Sequence, residues 1–267
     1  MKNVLIFIFG LVVFSCGAQD KSIQKAIEDG TFESMEEPTN PKETEFYNPV
    51  PPTVNPVGQN GVPSDAIVLF DGSSLSAWER VKDKAPATWK LNTEEKSMTV
   101  NRGGEKINAT IQTKKKFGSV QLHLEWKSPK LNLKRKGQQR GNSGVFLQGR
   151  YEVQVLDNND NDTYVNGQVG SIYKQSVPLA KASVPTGEWN SYDIIYHAPE
   201  FDGNKKVKSG TITVLHNGVL VQDHHIIKGT TAYIGWPKNN PHGKGPIKLQ
   251  DHGDAVGYRN IWVRELD

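Results

Sequence analysis

The chain has 267 residues, with 32 lysines and arginines against 29 aspartates and glutamates, for a net charge of +3. That balance, with no interleaving of basic and aromatic residues, leaves no electrostatic footprint for nucleic acid. A single cysteine excludes an internal disulfide.

Residues 1–15 read as a leader. Lys2 precedes an apolar run over 4–14, too short to span a bilayer and shaped like a signal-peptide core. The run ends Val13-Phe14-Ser15-Cys16, which is similar to a bacterial lipobox. The expectation is a mature chain that begins at Cys16, acylated there and held at a membrane outside the cytoplasm, in the periplasm or on the outer-membrane surface. Residues 16–62 read as a linker. They are polar, carry Glu33, Glu36, Glu37, Glu43 and Glu45, and end among Pro49, Pro51, Pro52 and Pro56. Such a composition buries too little apolar area to offset its ordering entropy. One or two helical turns are predicted over 22–27. The folded domain is expected over 63–267, a length suited to one large β domain.

Within that domain the strands come in order. An apolar run over 66–70 stops at Asp71-Gly72. Short strands are predicted over 89–91 and 97–100, broken by Asn101-Arg102-Gly103-Gly104. Over 117–126, Leu122, Leu124 and Trp126 share one face, and Gln121, His123 and Glu125 the other. A hairpin follows, with strands over 145–148 and 151–156 and Gly149-Arg150 as its turn. Tyr151, Val153 and Val155 form its core face; Glu152, Gln154 and Leu156 form the opposite one. Tyr192, Ile194 and Tyr196 oppose Asp193, Ile195 and His197 in the same way. Asn217-Gly218 between 211–215 and 219–223 signals a type I′ hairpin. Strands over 247–250 and 258–264 close the set. Lys114-Lys115-Lys116 and Lys134-Arg135-Lys136 read as solvated loops. Many short strands without sustained helical periodicity indicate an all-β fold, a jelly-roll β-sandwich of two antiparallel sheets.

The polar faces carry an unusual set of residues. His123 and Glu125, Glu152 and Gln154, Asp193 and His197, and then Gln250-Asp251-His252-Gly253 recur where a solvated sheet would show Lys, Thr and Ser. They read as the lining of one concave groove, edged by Trp89, Trp189, Tyr233 and Trp236, flat aromatics suited to stacking on sugar rings.

Ordered motifs carry a resemblance over residues 65–267. They are Leu69-Phe70-Asp71-Gly72 with Leu75 and Trp78; Leu122-His123-Leu124-Glu125-Trp126; Gly141-Asn142-Ser143-Gly144-Val145; and Tyr151-Glu152-Val153-Gln154. Gly187-Glu188-Trp189-Asn190 with Tyr192-Asp193, His216-Asn217-Gly218-Val219, Leu249-Gln250-Asp251-His252-Gly253 and Arg259-Asn260-Ile261-Trp262 complete it. Together they resemble the 3-keto-disaccharide hydrolase domain family. The resemblance implies a concanavalin-like jelly roll and action on glycosides oxidised at C3 of the sugar. The stretch over 130–140 is longer and more basic than the family pattern, which bears on substrate choice.

The chemistry implied by the resemblance is elimination. A ketone at C3 acidifies the C2–H bond, a base takes that proton, the C1 substituent departs, and water adds back. The site then needs a base near the working pH and a group that stabilises the enolate oxygen. Candidates for base and acid are Glu125, Glu152 and His252. Candidate substrate contacts are Asn142, Gln154, Asp193, Trp236, Gln250 and Asp251. His123, Glu125, Glu152 and His252 could equally hold a divalent metal through mixed nitrogen and oxygen ligation. Two other readings of the same residues are a non-catalytic carbohydrate-binding lipoprotein and a conventional glycoside hydrolase using Glu125 and Glu152 as its carboxylate pair.

Overall fold

A computed structural model describes residues 16–101 and 108–266. The leader expected over 1–15 and most of the break expected at Asn101-Arg102-Gly103-Gly104 lie outside the described residues. The chain divides into two compact units, Met1–Thr53 and Val54–Asp267.

In the first unit the helix is longer than expected: α1 spans Cys16–Asp29. Two pairs at spacing four, Gln24 to Glu28 (3.0 Å) and Lys25 to Asp29 (2.7 Å), support its exposed surface. It ends at Gly30, where the Thr31 N–H reaches back to the Ala26 carbonyl at 2.9 Å. Between Phe32 and Thr44 only two 3-10 turns follow, with no buried residue.

The second unit is built from strands. These are β1 (Ile67–Phe70), β2 (Trp78–Arg80), β3 (Lys90–Asn92), β4 (Ser97–Thr99), β5 (Ile111–Thr113) and β6 (Val120–Lys127). Then come β7 (Ser143–Leu147), β8 (Tyr151–Val155), β9 (Trp189–His197), β10 (Glu200–Asp202) and β11 (Lys205–Lys208). The last are β12 (Thr211–His216), β13 (Val219–Ile226), β14 (Lys248–Leu249) and β15 (Gly257–Glu265). A large sheet runs β13-β12-β9-β6-β15-β4-β3, with β1 also on β15, and a small one runs β2-β5-β14-β7-β8. All the pairings are antiparallel. The result is the all-β jelly-roll sandwich that the strand pattern predicts.

The core lies between the sheets. Ile111, Leu249, Val145 and Val153 form one continuous row across the small sheet, and Val214, Ile194, Leu122 and Val263 form one across the large sheet. All eight are fully buried. Burying such side chains contributes about 1.5–3 kcal/mol each, and it fixes which side of each strand faces out. Three buried tyrosines of the large sheet cross this core. The hydroxyl of Tyr192 donates to the Gln154 carbonyl (2.7 Å), that of Tyr196 to Gln148 Oε1 (2.6 Å), and that of Tyr258 to Ser143 Oγ (2.6 Å). Each satisfies an otherwise costly buried hydroxyl, and together they pin the β7–β8 hairpin from beneath.

Two turns differ in outcome. Asn217 and Gly218 both take positive φ (51° and 76°), the type I′ turn expected there. In the β7–β8 hairpin the positive φ falls on Gln148 (50°) and Gly149 (67°), one residue earlier than the Gly149-Arg150 turn expected. The Gln148 side chain accounts for this, since its amide spans from the Tyr196 hydroxyl to the Phe117 carbonyl (3.2 Å) and holds that residue in place.

Candidate active site

The single groove expected from the sequence is two separate faces. Leu122, Leu124 and Trp126 point into the core, so His123 and Glu125 point out from the large sheet. Tyr151, Val153 and Val155 also point into the core, so Glu152 and Gln154 point out from the small sheet. Stacked sheets lie about 10 Å apart, so the two sets face away from each other across the whole sandwich.

On the large sheet, His123 Nδ1 meets Asp193 Oδ1 at 2.6 Å, and its ring stacks on Trp262 with centroids 5.1 Å apart. Glu125 accepts from Arg259 Nε (2.6 Å) and from Asn260 Nδ2 (3.0 Å). Trp189 lies under the Lys127 and Arg259 cations (4.7 and 4.3 Å). The acids and bases here are paired with each other. A cavity of about 370 Å³ borders this cluster, lined in part by Glu125, Arg259, Asn260 and Trp262.

The small sheet presents a different environment. Register places Glu79, Gln112, Lys248, Phe146 and Glu152 in one outward row. Lys248 Nζ sits 3.7 Å above the Phe146 ring. Glu152 is only 5% exposed, and among the described residues its carboxyl makes no hydrogen bond. Burial raises its pKa to about 8, against a smaller lowering by Lys248. Burial likewise lowers the Lys248 ammonium, with Glu152 opposing. A carboxyl tuned near neutrality beside a desolvated ammonium is what acid–base chemistry requires.

The surroundings of Glu152 are built for it. Gly144 lies beside it in β7, and a Cβ there would come within 2.3 Å of Glu152 Oε1. Next along β8, Gln154 Nε2 donates to Gln138 Oε1 (3.0 Å), which also accepts from Asn142 Nδ2 (3.3 Å). Among the described residues the buried Oε1 atoms of Gln154 and Gln250 have no partner, and Gln250 joins the same edge through its N–H to the Gly144 carbonyl (3.0 Å). Gln138 follows Lys134-Arg135-Lys136, the run expected to be a solvated loop, whose two lysines are exposed as expected. Arg135 nevertheless pairs with Asp254, and Arg140 with Asp157 (3.1 Å). On the far side of Glu152 stand Tyr173 and Tyr164, their hydroxyls 2.6 Å apart.

The structure thus gathers Asn142, Glu152, Gln154 and Gln250. It leaves His123, Glu125 and Asp193 on the opposite face. Asp251 is buried and takes the Ala109 N–H (2.8 Å) and the Gly253 N–H (2.8 Å), a loop-bracing role, while His252 stands exposed beside it. His123, Glu125, Glu152 and His252 therefore do not form one ligand set. Among the described residues no group of three or more His, Cys, Asp or Glu side chains is arranged to hold a metal ion. Of the aromatics expected at the rim, Trp89 is core, stacked on Tyr258 at 5.7 Å, and Trp189 belongs to the other face. Tyr233 and Trp236 are exposed, and both line a cavity of about 540 Å³ with Tyr173 and Lys174. Lys248, Phe146, Tyr164, Tyr173 and Gln138 were not anticipated. Alternation through Ile247-Lys248-Leu249-Gln250 carries the signal for Lys248, since its apolar neighbours must face inward.

Comparison with known proteins agrees with this fold. A Bacteroides thetaiotaomicron protein named 3-keto-disaccharide hydrolase is 29% identical over 255 residues, spanning 77% of this chain and 81% of that protein. A crystal structure of a candidate glycosyl hydrolase from Parabacteroides distasonis ATCC 8503 is 52% identical, covers 85% of this chain and 97% of its own, and superposes with a TM-score of 0.78. A second one from the same organism is 20% identical with a TM-score of 0.55, covering 76% of this chain and 94% of that one, a likeness of fold alone. The family model described as a 3-keto-alpha-glucoside-1,2-lyase-like domain matches residues 65–264. The chain belongs to the 3-keto-alpha-glucoside-1,2-lyase-like domain family.

Proposed function

We propose that the protein cleaves the glycosidic bond of 3-keto-glycosides by C2 proton abstraction, elimination and hydration, with Glu152 as the base. The observation that carries this is the Glu152 carboxyl, buried without a hydrogen-bond partner among the described residues and raised to about 8 beside Lys248. Family membership and the name of the Bacteroides relative support the substrate class.

The Glu152 carboxylate takes the C2 proton, and the C2–H electron pair delocalises onto the C3 carbonyl oxygen. The C1–O bond then breaks, its pair leaves with the departing oxygen, and that oxygen takes up a proton. Water next adds hydroxyl to C1, and a proton returns to C2. One water is consumed and the oxidised sugar and the free leaving group are released. The Lys248 ammonium, held over Phe146 and coupled to Glu152, is the candidate to stabilise the enolate oxygen. Gln154, Gln250 and Asn142 offer hydroxyl contacts. His252 stands exposed two residues beyond Gln250, past the end of β14 and away from β8, so the leaving oxygen takes its proton from water.

The conventional hydrolase reading loses its basis. A carboxylate pair must flank one bond within about 10 Å, and Glu125 and Glu152 stand on opposite outer faces. The test of substrate class is product analysis with 3-keto and unmodified forms of one glucoside. Cleavage of the 3-keto form alone supports the reading, and equal cleavage of both contradicts it. We further propose that Cys16 carries a lipid anchor in the cell envelope, supported by the apolar run and lipobox-like residues before it.

A further inference from the structure

We propose that the cavity beyond β8 is the leaving-group subsite and that it takes a planar phenolic aglycone. This rests on the acid–base reading of Glu152. The outward row of the small sheet does not stop at Glu152. The next strand segment brings Tyr173 alongside, its N–H donating to the Glu152 carbonyl at 3.1 Å. The cavity of about 540 Å³ opens against Tyr173, within the size range of small-molecule sites.

Its other wall is a flap over residues 230–238, closed by the Thr230 N–H to the Lys238 carbonyl (2.9 Å). The flap is rooted on the catalytic strand. The Thr231 N–H donates to the Arg150 carbonyl (3.0 Å), and Thr231 Oγ1 accepts the Glu152 N–H (3.0 Å). Its tip shows Tyr233, Ile234 and Trp236 to solvent, at 71%, 84% and 88% exposure. Three large apolar side chains so exposed on one short flap, next to a cavity, mark a contact surface rather than packing.

The charge of the lining selects among occupants. Among the described residues Lys174 and Lys228 line the cavity and no carboxylate does. Lys174 Nζ lies 4.5 Å from the Tyr233 ring centroid and donates to the Tyr233 carbonyl (2.6 Å), which fixes that ring as a flat wall. A phenolic leaving group suits such a place. Its ring stacks on Tyr233 and Trp236, and its oxygen, which departs with the C1–O electron pair, meets positive potential. A second sugar would need a wall rich in free amides and carboxylates. Of the two amides in the lining, Gln175 commits its nitrogen to the Gly229 carbonyl (2.9 Å) and its oxygen to the Lys228 N–H (2.9 Å), which leaves Asn166 as the one uncommitted amide among the described lining residues.

The test pairs catalysis with direct binding in the full domain. Phenyl and methyl 3-keto-glucosides are compared for the wild type and Trp236→Ala, and 4-nitrophenol binding is measured by equilibrium dialysis. The proposal expects the phenyl-to-methyl ratio of kcat/KM to fall about tenfold in the variant, with a matching loss of 4-nitrophenol affinity. An unchanged ratio, with both glucosides still cleaved, overturns the subsite and leaves the acid–base reading standing. Trp236-dependent binding of 4-nitrophenol by a protein that cleaves neither glucoside sustains the aromatic subsite and overturns the acid–base reading. No 4-nitrophenol binding by the wild type overturns the subsite.

Discussion

A side chain on Gly144 would have to stand where the Glu152 carboxyl is, because its Cβ would lie 2.3 Å from Glu152 Oε1 and 3.0 Å from Cδ. Gly144 has no positive φ to explain it. Its lack of a side chain makes the space in which a buried carboxyl can sit. Gly144→Ala should therefore swing the Glu152 side chain out of place and leave the fold intact. A misplacement of about 1 Å can cost about a hundredfold in rate. Turnover of a 3-keto-glucoside and thermal unfolding, measured together, check this; full activity in the variant contradicts it.

Glu152→Gln should reduce turnover about a hundredfold or more if the carboxylate is the base. The swap also changes how stability depends on pH. Glu152 holds its proton up to about 8 in the folded chain, against an ordinary carboxyl value of 4.5. Between those values the folded state binds the extra proton, so stability is fully present below the lower value and falls as pH rises towards the upper one. The wild-type Tm should decline over that window and the decline should flatten in Glu152→Gln. Identical slopes contradict a raised Glu152.

Lys248→Met tests the cation over Phe146. Lys248 lowers the Glu152 pKa, so its removal should push that pKa higher still. The rising limb of the kcat/KM–pH profile, expected near 8 in the wild type, should move to higher pH, and the maximal rate should fall. A limb that stays in place separates Lys248 from Glu152.

Glu125→Gln distinguishes the two faces. Its partners are Arg259 and Asn260, partly exposed on the large sheet. Loss of such a pair costs about 0.2–1 kcal/mol, with turnover expected within about threefold of wild type. A loss of activity matching that of Glu152→Gln contradicts the assignment of the site to the small sheet.

Cys16→Ser should abolish incorporation of a palmitate analogue and release the protein from the membrane fraction. Equal labelling of wild type and variant contradicts the lipid anchor.

The sequence was informative about strands and poor about their assembly. Alternation through residues 120–127 placed Leu122, Leu124 and Trp126 inside and His123 and Glu125 outside, as found. Alternation assigns a side to each residue, but it does not say which sheet a strand joins. Glu125 and Glu152 both face out, and only long-range pairing put them on different sheets. The bulge in β15 was hidden too. Arg259 and Trp262 are three apart, yet they pair with Glu125 and His123, which are two apart, because the register shifts around Asn260 at a φ of 48°. Lys134-Arg135-Lys136 was read as a solvated loop from its charge, and both lysines are exposed. Charge did not reveal that Arg135, and Gln138 and Arg140 beyond it, fold onto the site.

The most direct test of the account is deuterium placed at C2 of a 3-keto-glucoside, followed through cleavage by the wild type and by Glu152→Gln. With Glu152 as base, the label should slow the wild-type reaction and be lost to solvent, and the variant should do neither at a measurable rate. Cleavage by the wild type with the C2 deuterium fully retained and no rate effect would exclude the enolate and contradict the account.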